Sequence, residues 1–366
     1  EFWVGYVGWE QNRLDVAAHG MQTYMAHTRT LLEREPDRAE YRLELAYALS
    51  NLGAIARQQR DFPRALQYFQ DSMEATQVLS DADPDDARLL DMLSEGWSWI
   101  GSTLEDLARL AEAEAAFEKA MGYATAAYAL SDSPLDREQA SDMATFLAET
   151  LLAQGEIAPA LQRFRESLAI HEELVAHDPS NARWELSLYR TRRKLAEIAI
   201  ATTAAGPDAA ELEAIITGLD ALVQRDASAA GPRRQLALAL RVRAQAELAA
   251  GRPESALAAA QRARDVLASG EVDLGTQGTD AALVSETLGS AAAAAGDPER
   301  AQAAWQSALD ALPEPDVWNL MQKALHARLA TRLGRGAEVK NVAAELAALG
   351  WADPRYLVPT PGGDGS

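Results

Sequence analysis

The chain has 366 residues with 48% hydrophobic content, ample material for a buried core. Asp and Glu number 55 against 34 Lys and Arg, a formal charge of −21 that repels phosphates and argues against a nucleic-acid partner. There is no cysteine, which excludes disulfides, thiolate catalysis and Cys-ligated metal, and no run of 18 apolar residues to span a membrane.

Residues 1–9, EFWVGYVGW, are apolar and aromatic. Trp3, Tyr6 and Trp9 stand at three-residue steps, which fits a helix face capping the first repeat. The same composition fits the aromatic belt beside a membrane helix, and both readings stay open. The first residue is Glu1 and not Met, as expected of a processed product or an excised fragment. Residues 13–34 read as one helix, a lone second helix with Ala17 and Met21 on its packing face, ending at Glu35-Pro36. That junction returns at Asp83-Pro84, Ser133-Pro134 and Asp178-Pro179. Each residue before the proline is a candidate N-cap, with Pro at the first helical position.

Between the junctions a pattern recurs. Gly53/Ala65, Gly101/Ala113, Ala148/Ala160, Ala244/Ala256 and Gly289/Ala301 are each 12 residues apart. Four residues later stand Phe69, Phe117, Phe164, Ala260 and Trp305. With Ala196 as a degenerate copy, the first markers are spaced 48, 47, 48, 48 and 45 residues. Small residues let two antiparallel helix axes approach, and large ones at three- and four-residue steps give each helix one apolar face. One hairpin leaves apolar surface uncovered, so the copies must stack.

This period sets the domain organisation. Residues 1–36 form an N-terminal segment and capping helix, and 37–268 form five long repeats, the fourth with its turn lengthened by Ala205-Gly206-Pro207-Asp208. Three glycines fall within 269–278, so 269–279 reads as a linker. Residues 280–357 hold further repeats and a cap, with a last hairpin around Gly334-Arg335-Gly336. Gly350-Trp351 and Pro354-Arg355-Tyr356 then fold back, and 358–366 is a disordered tail.

No catalytic constellation emerges. His171 and His177 are six apart and do not share a helix face, the HExxH spacing is absent, and the five histidines read as solvated surface residues. Neither a phosphate loop nor a nucleophile elbow occurs. No catalytic residue, cofactor or metal is expected.

Trp97, Ile100, Gly101 and Leu104, followed by Ala113, Phe117 and Ala120, resemble the tetratricopeptide unit W-x2-L-G-x2-Y…A-x3-F, with Ile for Leu and Leu for Tyr. The usual unit is about 34 residues, so these copies carry about two extra turns per helix. The resemblance implies an all-α, right-handed α-solenoid of stacked antiparallel helix hairpins. Its first helices line a concave groove for a protein or peptide segment, and its role is non-catalytic. By that resemblance the groove-facing positions are Tyr47, Ser50, Ala54 and Arg57; Glu95, Ser98, Ser102 and Glu105; Asp142, Thr145, Glu149 and Leu152; Arg190, Arg193 and Glu197; and Leu238, Arg241 and Gln245. The family's clamp on a partner's terminal carboxylate is missing, since Ser50 and Ala54 stand at its Lys and Asn positions.

The implied groove is bipolar, with Asp142 and Glu149 set against Arg190, Arg193 and Arg241. Such arginines suit an acidic partner segment through bidentate pairs, and equally suit pairing with Glu197 along the helices. Trp99 and Phe146 fit either groove anchors or inter-repeat packing. The long copies, the Leu174-to-Pro179 junction, the Leu333-Gly334-Arg335 turn and the ending from Leu349 to Tyr356 resemble arrays appended to bacterial transmembrane Ser/Thr kinases or signalling regulators. That implies an extracytoplasmic sensor or interaction domain, tied to a membrane only through an anchor upstream of Glu1. A free cytoplasmic scaffold is the alternative.

Overall fold

The computed structural model describes residues 2–269 and 277–358. Regular structure among them is helical throughout, sixteen α-helices and a few 3₁₀ turns, and it falls into two compact units that divide after Leu151. The expected tail from 359 and most of the expected linker lie outside the described residues.

The first unit holds α1 (Phe2–Glu10), α2 (Leu14–Arg34), α3 (Ala39–Gln58), α4 (Phe62–Ala82), α5 (Ala87–Asp106), α6 (Leu110–Ser131) and most of α7 (Pro134–Ala153). α1–α2, α3–α4 and α5–α6 are hairpins, and α7 is joined to α5 by Gln139 Nε2 donating to the Asp91 carbonyl at 3.3 Å and Thr150 Oγ1 donating to Glu105 at 2.7 Å. The marker residues meet as their spacing requires. Phe117 of α6 lies across Gly101 of α5, where an added Cβ would come within 2.8 Å of the ring. Gly53 and Phe69 repeat the arrangement between α3 and α4.

The hairpin turns share one backbone device. Asn12, Arg60, Ala108, Gly155, Gly251, Gly296 and Gly334 all adopt positive φ just past a helix end. At Ala108 the amide donates back to the Glu105 carbonyl at 2.9 Å and the next amide, of Arg109, to that of Leu104 at 2.8 Å, which satisfies carbonyls the helix would otherwise orphan. A left-handed residue is costly for anything but glycine, yet three of these seven are not glycine.

Two expectations need correction. The helix over 13–34 is not alone: α1 packs on it as a short first helix. Gly8 approaches so closely that an added Cβ would sit 2.8 Å from the Ala17 nitrogen. Of the three N-terminal aromatics only Trp9 joins the core; Trp3 and Tyr6 are exposed. The N-caps are also misplaced. Glu35, Asp83 and Asp178 end the preceding helices, and the next ones start three residues after each at Arg38, Asp86 and Asn181. The residue before proline is pushed out of the α region, so the junction stops one helix before Asp86 or Asn181 caps the next. Of these four junctions, Ser133-Pro134 is the one whose proline begins the next helix.

The second unit holds α8 (Ile157–His177), α9 (Ala182–Thr202), α10 (Ala209–Arg225), α11 (Ala230–Ala249), α12 (Pro253–Ala268), α13 (Gln277–Ala294), α14 (Pro298–Asp310), α15 (Leu320–Arg332) and α16 (Val342–Ala348). Because α13 starts at Gln277, the last three residues of the expected linker are helical. First helices α9, α11, α13 and α15 adjoin one another, and second helices are linked by Arg262–Asp220 and by Arg300 to Gln261 at 2.6 Å. The apolar seam between these layers includes Leu212, Ile215, Leu219, Leu236, Leu240 and Val284.

Candidate functional site

In a stacked hairpin array both helices of a pair give one face to the core, so a first-helix face left open is where side chains are free to meet a partner. In the first unit the implied groove positions are partly open. Tyr47 is 39% exposed and Phe146 is 41% exposed, both large for a solvent-facing apolar side chain. Phe146 tilts against Phe117 at 5.7 Å and Trp99 stacks on Phe69 at 5.7 Å, so both anchor the wall as well as line it. Arg57 sits over the Trp99 ring and pairs with Asp106 at 2.6 Å. Asp142 and Glu149 are half-buried on the same helix as Phe146.

Two carboxyls of α5 are raised above the usual carboxylate range, chiefly by burial. Burial pushes the Glu105 carboxyl up to about 7; Glu149 and Asp106 add to the shift, while the Thr150 hydroxyl, donating at 2.7 Å, and Arg57 oppose it. Burial, with Asp136 and Glu95 nearby, raises Asp91 to about 6.

In the second unit the same register positions are closed. Arg193 and Arg241 are buried, and both bind the buried Glu197: Arg193 Nη1 lies 3.1 Å from Oε2, and Arg241 Nη2 donates to Oε1. Arg193 Nε also donates to Gln235 at 3.1 Å. Arg190 and Gln245 are half-buried. What closes this wall is the chain itself. After α16, Gly350 turns at positive φ and the segment from Trp351 lies back over the first helices. The Ala352 amide donates to the Ala153 carbonyl at 2.7 Å, and Tyr356 Oη donates to Glu197 Oε1 at 3.4 Å. Arg328 Nη1 donates to the Arg355 carbonyl at 3.0 Å, and its Nη2 pairs with Glu286 at 2.7 Å. The fold-back was legible in the glycine and proline of 350–356, but not the surface that receives it.

His171 overturns the expectation of solvated histidines. It is buried on α8 with Nδ1 3.2 Å from Thr191 Oγ1, and burial, with Arg190 nearby, lowers its pKa to about 4. Among the described residues no three metal-ligating side chains converge, and no helix is long and apolar enough to cross a membrane.

Comparisons place this geometry. The tetratricopeptide-repeat family model matches residues 45–85 and 142–180, which span α3–α4 and α7–α8. RapI in its apo form shares 10% identity over 85% of this chain and 95% of that one, with a TM-score of 0.51. A tetratricopeptide repeat protein from Parabacteroides merdae ATCC 43184 shares 12% identity over 92% and 97%, with a TM-score of 0.49. A Rap protein solved in complex with competence and sporulation factor shares 13% over 90% and 75%, at 0.45. Curated proteins offer no match. The two matched segments carry the tetratricopeptide repeat, and the helix hairpins of both units resemble in fold those of RapI.

Proposed function

We propose that the chain is a non-catalytic protein- or peptide-binding domain whose partner lies on the first-helix walls. The observation that carries this is the half-open wall of the first unit. Tyr47 and Phe146 are exposed there on the helices that also carry Arg57, Asp142 and Glu149, a mix of rigid aromatic anchors and charges that suits recognition better than solubility. In the second unit Arg193 and Arg241 are committed to Glu197 beneath the C-terminal segment, so an acidic partner segment is proposed there only with that cover lifted, near the half-buried Arg190 and Gln245. The biological setting we propose is the sensor part of a larger membrane-anchored bacterial Ser/Thr kinase or signalling regulator, on the extracytoplasmic side. The long copies, the Asp-Pro junctions and the ending from Leu349 to Tyr356 support it.

A peptide-display selection against the full chain tests the binding role. Selected peptides are expected to bind a Tyr47→Ala/Phe146→Ser variant at least about tenfold more weakly, the loss typical of a removed anchor. Equal binding by both forms would contradict the assignment. The setting is tested separately by the reading frame upstream of Glu1, where an encoded transmembrane segment is expected.

A further inference from the structure

The segment after α16 is built like a ligand. Asp353 accepts from the Arg355 amide at 2.9 Å and pairs with the Arg355 guanidinium at 2.7 Å, so the Asp-Pro-Arg turn is held by its own side chains. The wall adds contacts of its own. Ala153 takes a main-chain N–H, Arg328 takes a main-chain carbonyl, and Glu197, floored by Arg241, takes the tyrosine hydroxyl. Gly155, at positive φ, receives the small side chain of Ala352: an added Cβ on that glycine would lie 3.1 Å from the Ala352 Cβ. These readers are two main-chain contacts, one small-residue seat and one tyrosine seat four positions on.

The seating is also imperfect. Trp351 Nε1 and Arg241 Nε are buried without a hydrogen-bond partner, which is costly. A cavity of about 430 Å³ lies beside the segment, lined by Arg328, Thr331, Arg332, Pro354, Arg355 and Leu357. A contact of this kind is replaceable by one that fits better.

We infer that the first-helix wall of the second unit is a peptide site occupied in cis by residues 351–357, and that it takes in trans a partner segment with a small residue, a turn and, four positions after the small residue, a tyrosine. The inference rests on the binding role proposed above. It adds that the free chain is closed at this wall and that a partner enters by displacing the segment. Preorganisation of the turn by Asp353 and Arg355 lowers the ordering cost for the tethered copy, so a competing segment needs a comparable turn.

The test uses a labelled peptide of sequence GWADPRYLV, residues 350–358, titrated into the full wild-type chain and into an Asp353→Ala/Tyr356→Ala variant whose own segment is released. A tethered segment acts at an effective concentration of about a millimolar, so for an intrinsic affinity of about a micromolar the wild type should bind roughly a thousandfold more weakly than the variant. Replacing the peptide's tyrosine with Phe should weaken binding to the variant about tenfold, the loss of a hydroxyl donor to a carboxylate. A folded variant that ignores the peptide overturns the inference. Should the variant fail to fold, hydrogen exchange on the wild type decides. The Ala352 amide is expected to exchange at least about tenfold faster than the slowest amides of α11, through local opening. Exchange at the same rate as those amides makes the segment an integral part of the fold and overturns the inference too. None of these outcomes alters the retention of display-selected peptides by the first unit, so this site and the general binding role stand or fall separately.

Discussion

Tyr356 donates its hydroxyl to Glu197, 159 residues earlier in the chain, at 3.4 Å. That carboxylate already holds two buried guanidiniums, Arg193 and Arg241. The relationship fixes what a substitution at each partner should do. Glu197→Ala strands two buried cations and should cost about 3–5 kcal/mol, whereas Tyr356→Phe gives up one long hydrogen bond and should cost about 1 kcal/mol. Urea unfolding of the two variants checks the ordering, and equal losses would mean that Glu197 is not the hub of this wall.

The ring of Phe117 against Gly101 makes a second expectation. Gly101→Ala forces a Cβ to 2.8 Å from the ring and should destabilise by about 1–3 kcal/mol through overpacking. Gly122, exposed on α6 with nothing within 4 Å of an added Cβ, should respond the opposite way. There Gly122→Ala is expected to stabilise by about 1 kcal/mol, since alanine is the better helix former. Thermal melts of both variants decide it.

At the α5–α6 turn Ala108 adopts φ +56°, where Gly251 and Gly296 stand in later copies. Ala108→Gly removes a left-handed strain of about 1–2 kcal/mol and gives back part of it in chain entropy. A net gain near 0.5–1 kcal/mol is expected in the same melts. Gly251→Ala should lose a similar amount.

Acidity should act on the two units in opposite senses. Glu105 has a folded pKa of about 7 against a reference of 4.5, so its contribution is full below pH 4.5 and is lost as pH rises toward 7. His171 has a folded pKa of about 4 against 6.5; stability is full above 6.5 and is lost as pH falls toward 4. Each effect is at most about 3 kcal/mol. Unfolding followed across pH 4–8 should lose the first slope in Glu105→Gln and the second in His171→Gln. Unchanged pH profiles in both variants would contradict these environments.

The hairpins were legible because their packing is local. Gly101 and Phe117 are 16 residues apart, and a small residue opposite a large one recurs wherever two helix axes approach. The same logic located Gly53 with Phe69 and the long helices themselves. It failed at Glu35, Asp83 and Asp178, where two signals share one stretch: a proline that stops a helix and a cap that starts the next. It failed again at His171, whose burial depends on α9 lying over it and leaves no trace in its neighbours along the chain. The walls were readable only as positions. Pairing of Arg193 with Glu197 four residues on was one of the two readings the spacing allowed, but the addition of Arg241 and Tyr356 to that carboxylate was not, since nothing in the spacing of the copies connects residue 356 to residue 197.

Binding on the first helices, and not on the second, is what separates a recognition wall from a merely soluble surface. Hydroxyl-radical footprinting of the full chain, with and without a display-selected peptide, distinguishes the two. Val78 on α4 and Leu130 on α6, 45% and 49% exposed, serve as second-helix controls. Tyr47, Trp99 and Phe146 are expected to become protected while Val78 and Leu130 oxidise as before; protection confined to Val78 and Leu130 would contradict first-helix binding.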